Sequence, residues 1–100
     1  QLGFLKYLNK DYAGAVLALK KVILIQPNYS NAKYFLGLSY SKIGKVTEAT
    51  KEFVDISNLN PNNNEVKGIL NNLRAGRGAL DGLGPNNQPE KKKQLPIKEE

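Results

Sequence analysis

The chain has 100 residues, 40% hydrophobic and 24% charged, an ordinary balance for a single small helical domain. It contains no Cys and no His, which excludes disulfides and thiolate chemistry and removes the commonest general base and the commonest metal ligand. The net charge of +6 is carried by scattered Lys rather than by Arg, the usual reader of phosphates and bases, so the basic residues read as solvated helix faces and nucleic acid is not the expected partner.

Leu2, Leu5 and Leu8 give residues 1–8 a helical apolar spacing, interrupted at Asn9-Lys10. Apolar residues at 15, 16, 18, 19, 22, 23 and 25 follow the i, i+3, i+4, i+7 rule and predict a helix over 11–25. Pro27 ends it, because proline lacks the amide that would carry the ladder onward. A third helix over 30–43 holds Tyr34, Leu36, Leu38, Tyr40 and Ile43, with Ser30 as its expected N-cap. Gly44-Lys45 separates it from a fourth helix over 46–59, marked by Phe53, Val54, Ile56 and Leu59. Beyond Pro61, Asn62 or Asn63 is placed to cap a fifth helix over 63–74 with Val66, Ile69, Leu70 and Leu73 on one side. Arg74 lies in the last turn of that helix, where its charge suits the dipole, and Gly76 suits the C-terminal cap. From residue 77 the periodicity fails; glycines, prolines and a mixed-charge end predict a disordered tail over 76–100.

The chain also resembles itself. Shifted by 34 residues, Leu2-Gly3 falls on Leu36-Gly37, Ala15 on Ala49, Leu19 on Phe53, Val22 on Ile56, Ile25 on Leu59 and Pro27-Asn28 on Pro61-Asn62. A match of that extent at one offset marks a helical repeat. The residues Leu36, Gly37 and Tyr40, then Ala49, Phe53 and Pro61, resemble the tetratricopeptide-repeat pattern L-G-x-x-Y…A-x-x-x-F…P at its usual spacing. Repeat one departs from it at Lys6 and Leu19, and Lys33 stands where repeat two would open with an aromatic residue. The resemblance implies an all-α superhelix of antiparallel helix pairs, about five helices in all, over residues 1–75. Residues 1–27 form a truncated repeat, 28–61 a complete one and 62–75 a capping helix. The uncapped apolar start implies the C-terminal portion of a longer chain, and the many Asn and Lys fit an AT-rich bacterial genome.

Such repeats line an inner surface with the first helix of each pair. The resemblance therefore implies a protein-interaction scaffold, not an enzyme, with no cofactor and no metal. Its partner would be a peptide or helix seated on Phe4, Tyr7, Asn31, Tyr34, Leu38, Ser41 and Lys42. Phe4, Tyr34 and Leu38 are expected to form an apolar strip, so that Tyr34 and Leu38 changed to Ala would abolish capture without unfolding the domain. The subclass that grips a C-terminal carboxylate is not matched, because the corresponding places hold Phe4, Phe35, Glu65 and Ile69. An alternative follows from Leu70–Ala75, Gly76 and Ala79-Leu80, which loosely resemble tails of bacterial envelope proteins of the O-antigen ligase or polymerase kind. In that reading the repeat is a C-terminal appendage and the activity lies upstream. The longest apolar run, Val22-Ile23-Leu24-Ile25, is far short of the roughly 20 residues of a membrane span. Localisation is cytoplasmic by default, and membrane-associated if spans lie upstream.

Overall fold

A computed structural model describes residues 2–83 of the chain. Among them are five α-helices and no strand: α1 Leu2–Leu8, α2 Tyr12–Ile25, α3 Ser30–Lys42, α4 Val46–Leu59 and α5 Asn64–Arg74. Every helix boundary falls within one residue of the span expected from apolar spacing and proline position. Short turns fold α1 onto α2 and α3 onto α4. The pairs are joined by α2 against α3 and α4 against α5, and α1 also touches α3.

The ends of α1, α3 and α5 show how the chain is made to turn. Each closes with a residue at positive φ: Lys10 at 64°, Gly44 at 82° and Gly76 at 77°. Around each, two backbone amides reach back to orphan carbonyls, as when Gly44 N donates to Ser41 O and Lys45 N to Tyr40 O. The same two bonds recur from Lys10 and Asp11, and from Gly76 and Arg77. Glycine adopts this conformation freely, whereas Lys10 must hold its Cβ against a carbonyl, at a cost of about 1–2 kcal/mol.

Close contact within each pair depends on a small residue facing a large one. A Cβ built on Gly37 would lie 2.7 Å from a Phe53 ring carbon, and one on Gly3 would lie 2.5 Å from Leu19. Ala15 and Ala49, equivalent in the two repeats, are wholly buried. Around these contacts an aromatic series runs from Phe4 to Phe35 (4.7 Å between centroids), on to Tyr34 (5.4 Å) and then to Phe53 (5.8 Å).

Helix starts are less uniform. Asp11 accepts from Gly14 N and Asn63 from Val66 N, so α2 and α5 have side-chain caps. Tyr29 and Lys45, the caps of α3 and α4, make no such bond. Ser30 is therefore not the N-cap expected of it: it is the first helical residue, and its Oγ accepts from Asn60 Nδ2 at 3.2 Å, tying α3 to the end of α4.

Part of the segment expected to be a disordered tail is instead folded. Arg77–Leu83 turns back over α5, with Ala79 buried and Leu80 and Leu83 packed against the core. The reason is Asn72, a buried amide whose Nδ2 donates to Ala79 O (2.9 Å) and Asp81 O (2.7 Å) while its Oδ1 accepts from Arg77 Nε (3.0 Å). Asp81 closes the turn by accepting from Gly78 N. The remainder of the predicted tail, 84–100, lies outside the described residues.

Candidate partner-binding face

The 34-residue repeat lines up columns of side chains along α1, α3 and α5. Phe4, Leu38 and Asn72 occupy one column; Tyr34 and Gly68 a second; Asn31 and Glu65 a third; Tyr7 and Ser41 a fourth; Leu8 and Lys42 a fifth. All seven residues expected to seat a partner fall on these columns, but they are not equally accessible.

Phe4 is half-buried, its ring edge-on to Phe35. Ser41 is half-buried and Lys42 exposed, with its Nζ 5.9 Å from the centroid of the Tyr12 ring, a cation–π geometry. Tyr7, Asn31, Tyr34 and Leu38 are buried. Tyr34 is 0% exposed, between Phe35 and Phe53, and Leu38 is 1% exposed. The expected open strip of Phe4, Tyr34 and Leu38 is thus reduced to Phe4. The cause is the place of α3 in the stack. It packs against α1, α2 and α4, and every residue from Ser30 to Ser39 is buried. Changing Tyr34 and Leu38 to Ala would consequently damage the core, and it does not separate binding from folding.

One contact escaped sequence reasoning. On the columns of α5, Asn72 already holds main chain of the turn Arg77–Leu83 described above, and Gly68 faces a side chain of the same turn. Gly68 leaves room for Leu83, whose Cδ2 would lie 3.2 Å from an added Cβ. The available signal was an Asn and a Gly at inward positions of an otherwise aliphatic helix face.

Charge is concentrated between α3 and α4. Lys33 Nζ lies 3.3 Å from Asp55 Oδ2 and 3.9 Å from Glu52 Oε1, with little of the lysine exposed. Burial raises the Glu52 pKa above the ordinary carboxyl value; Lys33 opposes this, and Asp55 adds to it. Burial, with Glu52 and Glu48 nearby, also raises the Tyr40 pKa. These groups form an ion cluster that ties α3 to α4. Among the described residues no group of three or more His, Cys, Asp or Glu is arranged to hold a metal ion. No described helix is long and apolar enough to cross a membrane.

A family model described as Tetratricopeptide repeat matches residues 7–73, from the last turn of α1 to the last turn of α5. Comparison with curated proteins and with solved structures gives no match.

Proposed function

The chain belongs to the tetratricopeptide-repeat family, and on that premise we propose that it binds an extended segment of a partner protein along the inner columns of α1 and α3. Repeats of this family generally serve as non-catalytic protein-interaction modules.

One observation carries the finer reading. On α5 the same columns grip polypeptide main chain, with both amide hydrogens of Asn72 spent on the carbonyls of Ala79 and Asp81. Peptide-binding surfaces commonly divide their work this way, with main-chain bonds for affinity and side-chain pockets for selection. Towards α1 the accessible members are Phe4, Leu8, Ser41 and Lys42, an aromatic edge, an aliphatic side chain, a hydroxyl and an ammonium. Together they suit a segment with one apolar side chain and a nearby carboxylate. Tyr7, Asn31, Tyr34 and Leu38 lie beneath and fix the spacing of that surface.

The test selects binding peptides from a random library with the full chain, then measures them against the double variant Ser41→Glu, Lys42→Glu. Affinity should fall at least tenfold, while stability should fall only by the cost of acidic side chains in the last turn of α3, about 0.3–1 kcal/mol each. Unchanged affinity would move the site to another face.

A further inference from the structure

Two positions on the inner face of α5 break the repeat, and both meet the same segment of chain. Where α1 and α3 carry Phe4 and Leu38, α5 carries the amide Asn72; where α3 carries Tyr34, α5 carries Gly68. Asn72 is buried and makes three bonds to Arg77–Leu83: its Nδ2 donates to Ala79 O and Asp81 O, and its Oδ1 accepts from Arg77 Nε. The missing side chain at Gly68 leaves a slot for Leu83, whose Cδ2 would stand 3.2 Å from a Cβ placed there. The two departures thus make a main-chain grip and a side-chain slot, the parts of a peptide subsite. The occupant holds its own shape. Asp81 N donates to Gly78 O, Leu83 N to Leu80 O and Gly78 N to the Asp81 carboxylate, all bonds internal to the turn. Of its seven residues Ala79 alone is buried, and Gly76 and Gly82, both at positive φ, bend the chain at its two ends.

We propose that Arg77–Leu83 is a tethered, displaceable occupant of a peptide subsite on α5, and that a partner segment ending in the same kind of turn takes its place. The inference rests on the reading of the inner columns as a partner-binding surface, which it extends to α5 and supplies with a competitor. The ligand class follows from the contacts. A small residue is required where Ala79 is buried. Its carbonyl and the one two residues later face the Asn72 amide, and a leucine two residues further on fills the slot at Gly68. Asp81 caps Gly78 N, so the acidic residue folds the turn. The pattern is a turn of the form Ala-x-Asp-x-Leu. The tether explains why so few contacts hold it. A segment joined to α5 through Gly76 meets the subsite at an effective concentration on the order of millimolar. A free turn of the same sequence is therefore refused, whereas a segment that also engages α1 and α3 adds those contacts and is admitted.

The test opens the turn in the full chain with Asp81→Ala and Leu83→Asp, which weaken the occupant and leave Asn72 and Gly68 in place. The probe is the free peptide Arg-Gly-Ala-Leu-Asp-Gly-Leu, the sequence of Arg77–Leu83 with blocked ends. The readout is the side-chain amide NMR signal of Asn72. Opening should move that signal while helix content holds, and added peptide should return it to its wild-type position. In the wild-type chain the peptide at about 0.1 mM should leave the signal unmoved, because the tether outcompetes it. Adding Gly68→Leu to the opened chain fills the slot with a residue that suits a helix better than glycine, and should weaken the peptide at least tenfold. Four results would overturn the proposal. They are an Asn72 signal unmoved by the opening substitutions, loss of α5 together with the turn, no return of the signal with several-millimolar peptide, or equal peptide binding with Gly68→Leu. The groove reading is scored on Ser41 and Lys42 with other peptides, so either proposal can fail alone.

Discussion

Repeats one and two are built on one template and finished differently. In repeat two a phenylalanine, Phe53, fills the space beside Gly37, and a glycine, Gly44, takes the left-handed turn. In repeat one the corresponding residues are Leu19 beside Gly3, and Lys10 at a positive φ that costs it energy. Only at the start of the second helix is repeat one better equipped, since Asp11 caps α2 while Lys45 gives α4 no side-chain bond. The backbone path is common to both because it depends on where small residues, turns and prolines fall. The quality of packing depends on what surrounds each helix, and α3 has neighbours that α1 lacks.

The largest expected effect tests that difference in packing. Phe53→Ala should cost about 3–5 kcal/mol, and Leu19→Ala about 2 kcal/mol, at the low end of its class. Leu19 sits beside a short helix with an open flank, where water and small shifts can fill the space left behind. Urea unfolding of both variants checks this. Equal losses would mean that repeat one is as tightly packed as repeat two.

A smaller effect of opposite sign should come from the turns. Lys10→Gly relieves the left-handed strain and removes only an exposed side chain, so it should stabilise by about 1 kcal/mol. Gly44→Lys should destabilise by about 1–2 kcal/mol. Thermal midpoints moving apart in these directions would equalise the two turns; no change on Lys10→Gly would show the strain to be absorbed elsewhere.

The smallest concerns charge. Glu52 has no acidic counterpart in repeat one, where Ala18 stands in its place. Its carboxyl is held above the ordinary 4.5, first by burial and then by Asp55, against the pull of Lys33. The folded chain therefore keeps this proton more tightly than the unfolded chain. Its contribution to stability is full below 4.5 and declines as the pH rises through the folded value. Glu52→Gln should flatten that segment of the stability curve, seen in urea midpoints over a pH series, and Ala18 variants should leave it unchanged. An unaltered slope in Glu52→Gln would contradict the assignment.

How much of this was legible beforehand can be judged residue by residue. The spacing of Ala15, Leu19 and Val22 against Ala49, Phe53 and Ile56 specified two equivalent outer helices, because apolar period and proline position act locally along the chain. The inner columns were equally legible, since a fixed repeat fixes which positions share a face. Whether those positions are open was not. Tyr34 and Leu38 look like groove residues by register, yet they are buried because α3 stands in the middle of the stack. Asn72 shares the register of Phe4 and Leu38, and is spent on the turn Arg77–Leu83, whose own sequence has no periodicity to announce that it packs.

By itself, then, the sequence determined the helices, their order and the repeat, all of which follow from interactions over a few residues or over one constant step. Tertiary structure decided which members of each column meet water, which helix face stays uncovered and how tightly Glu52 keeps its proton. Those depend on neighbours brought together from distant parts of the chain, and burial is a property of the assembled surroundings rather than of the residue.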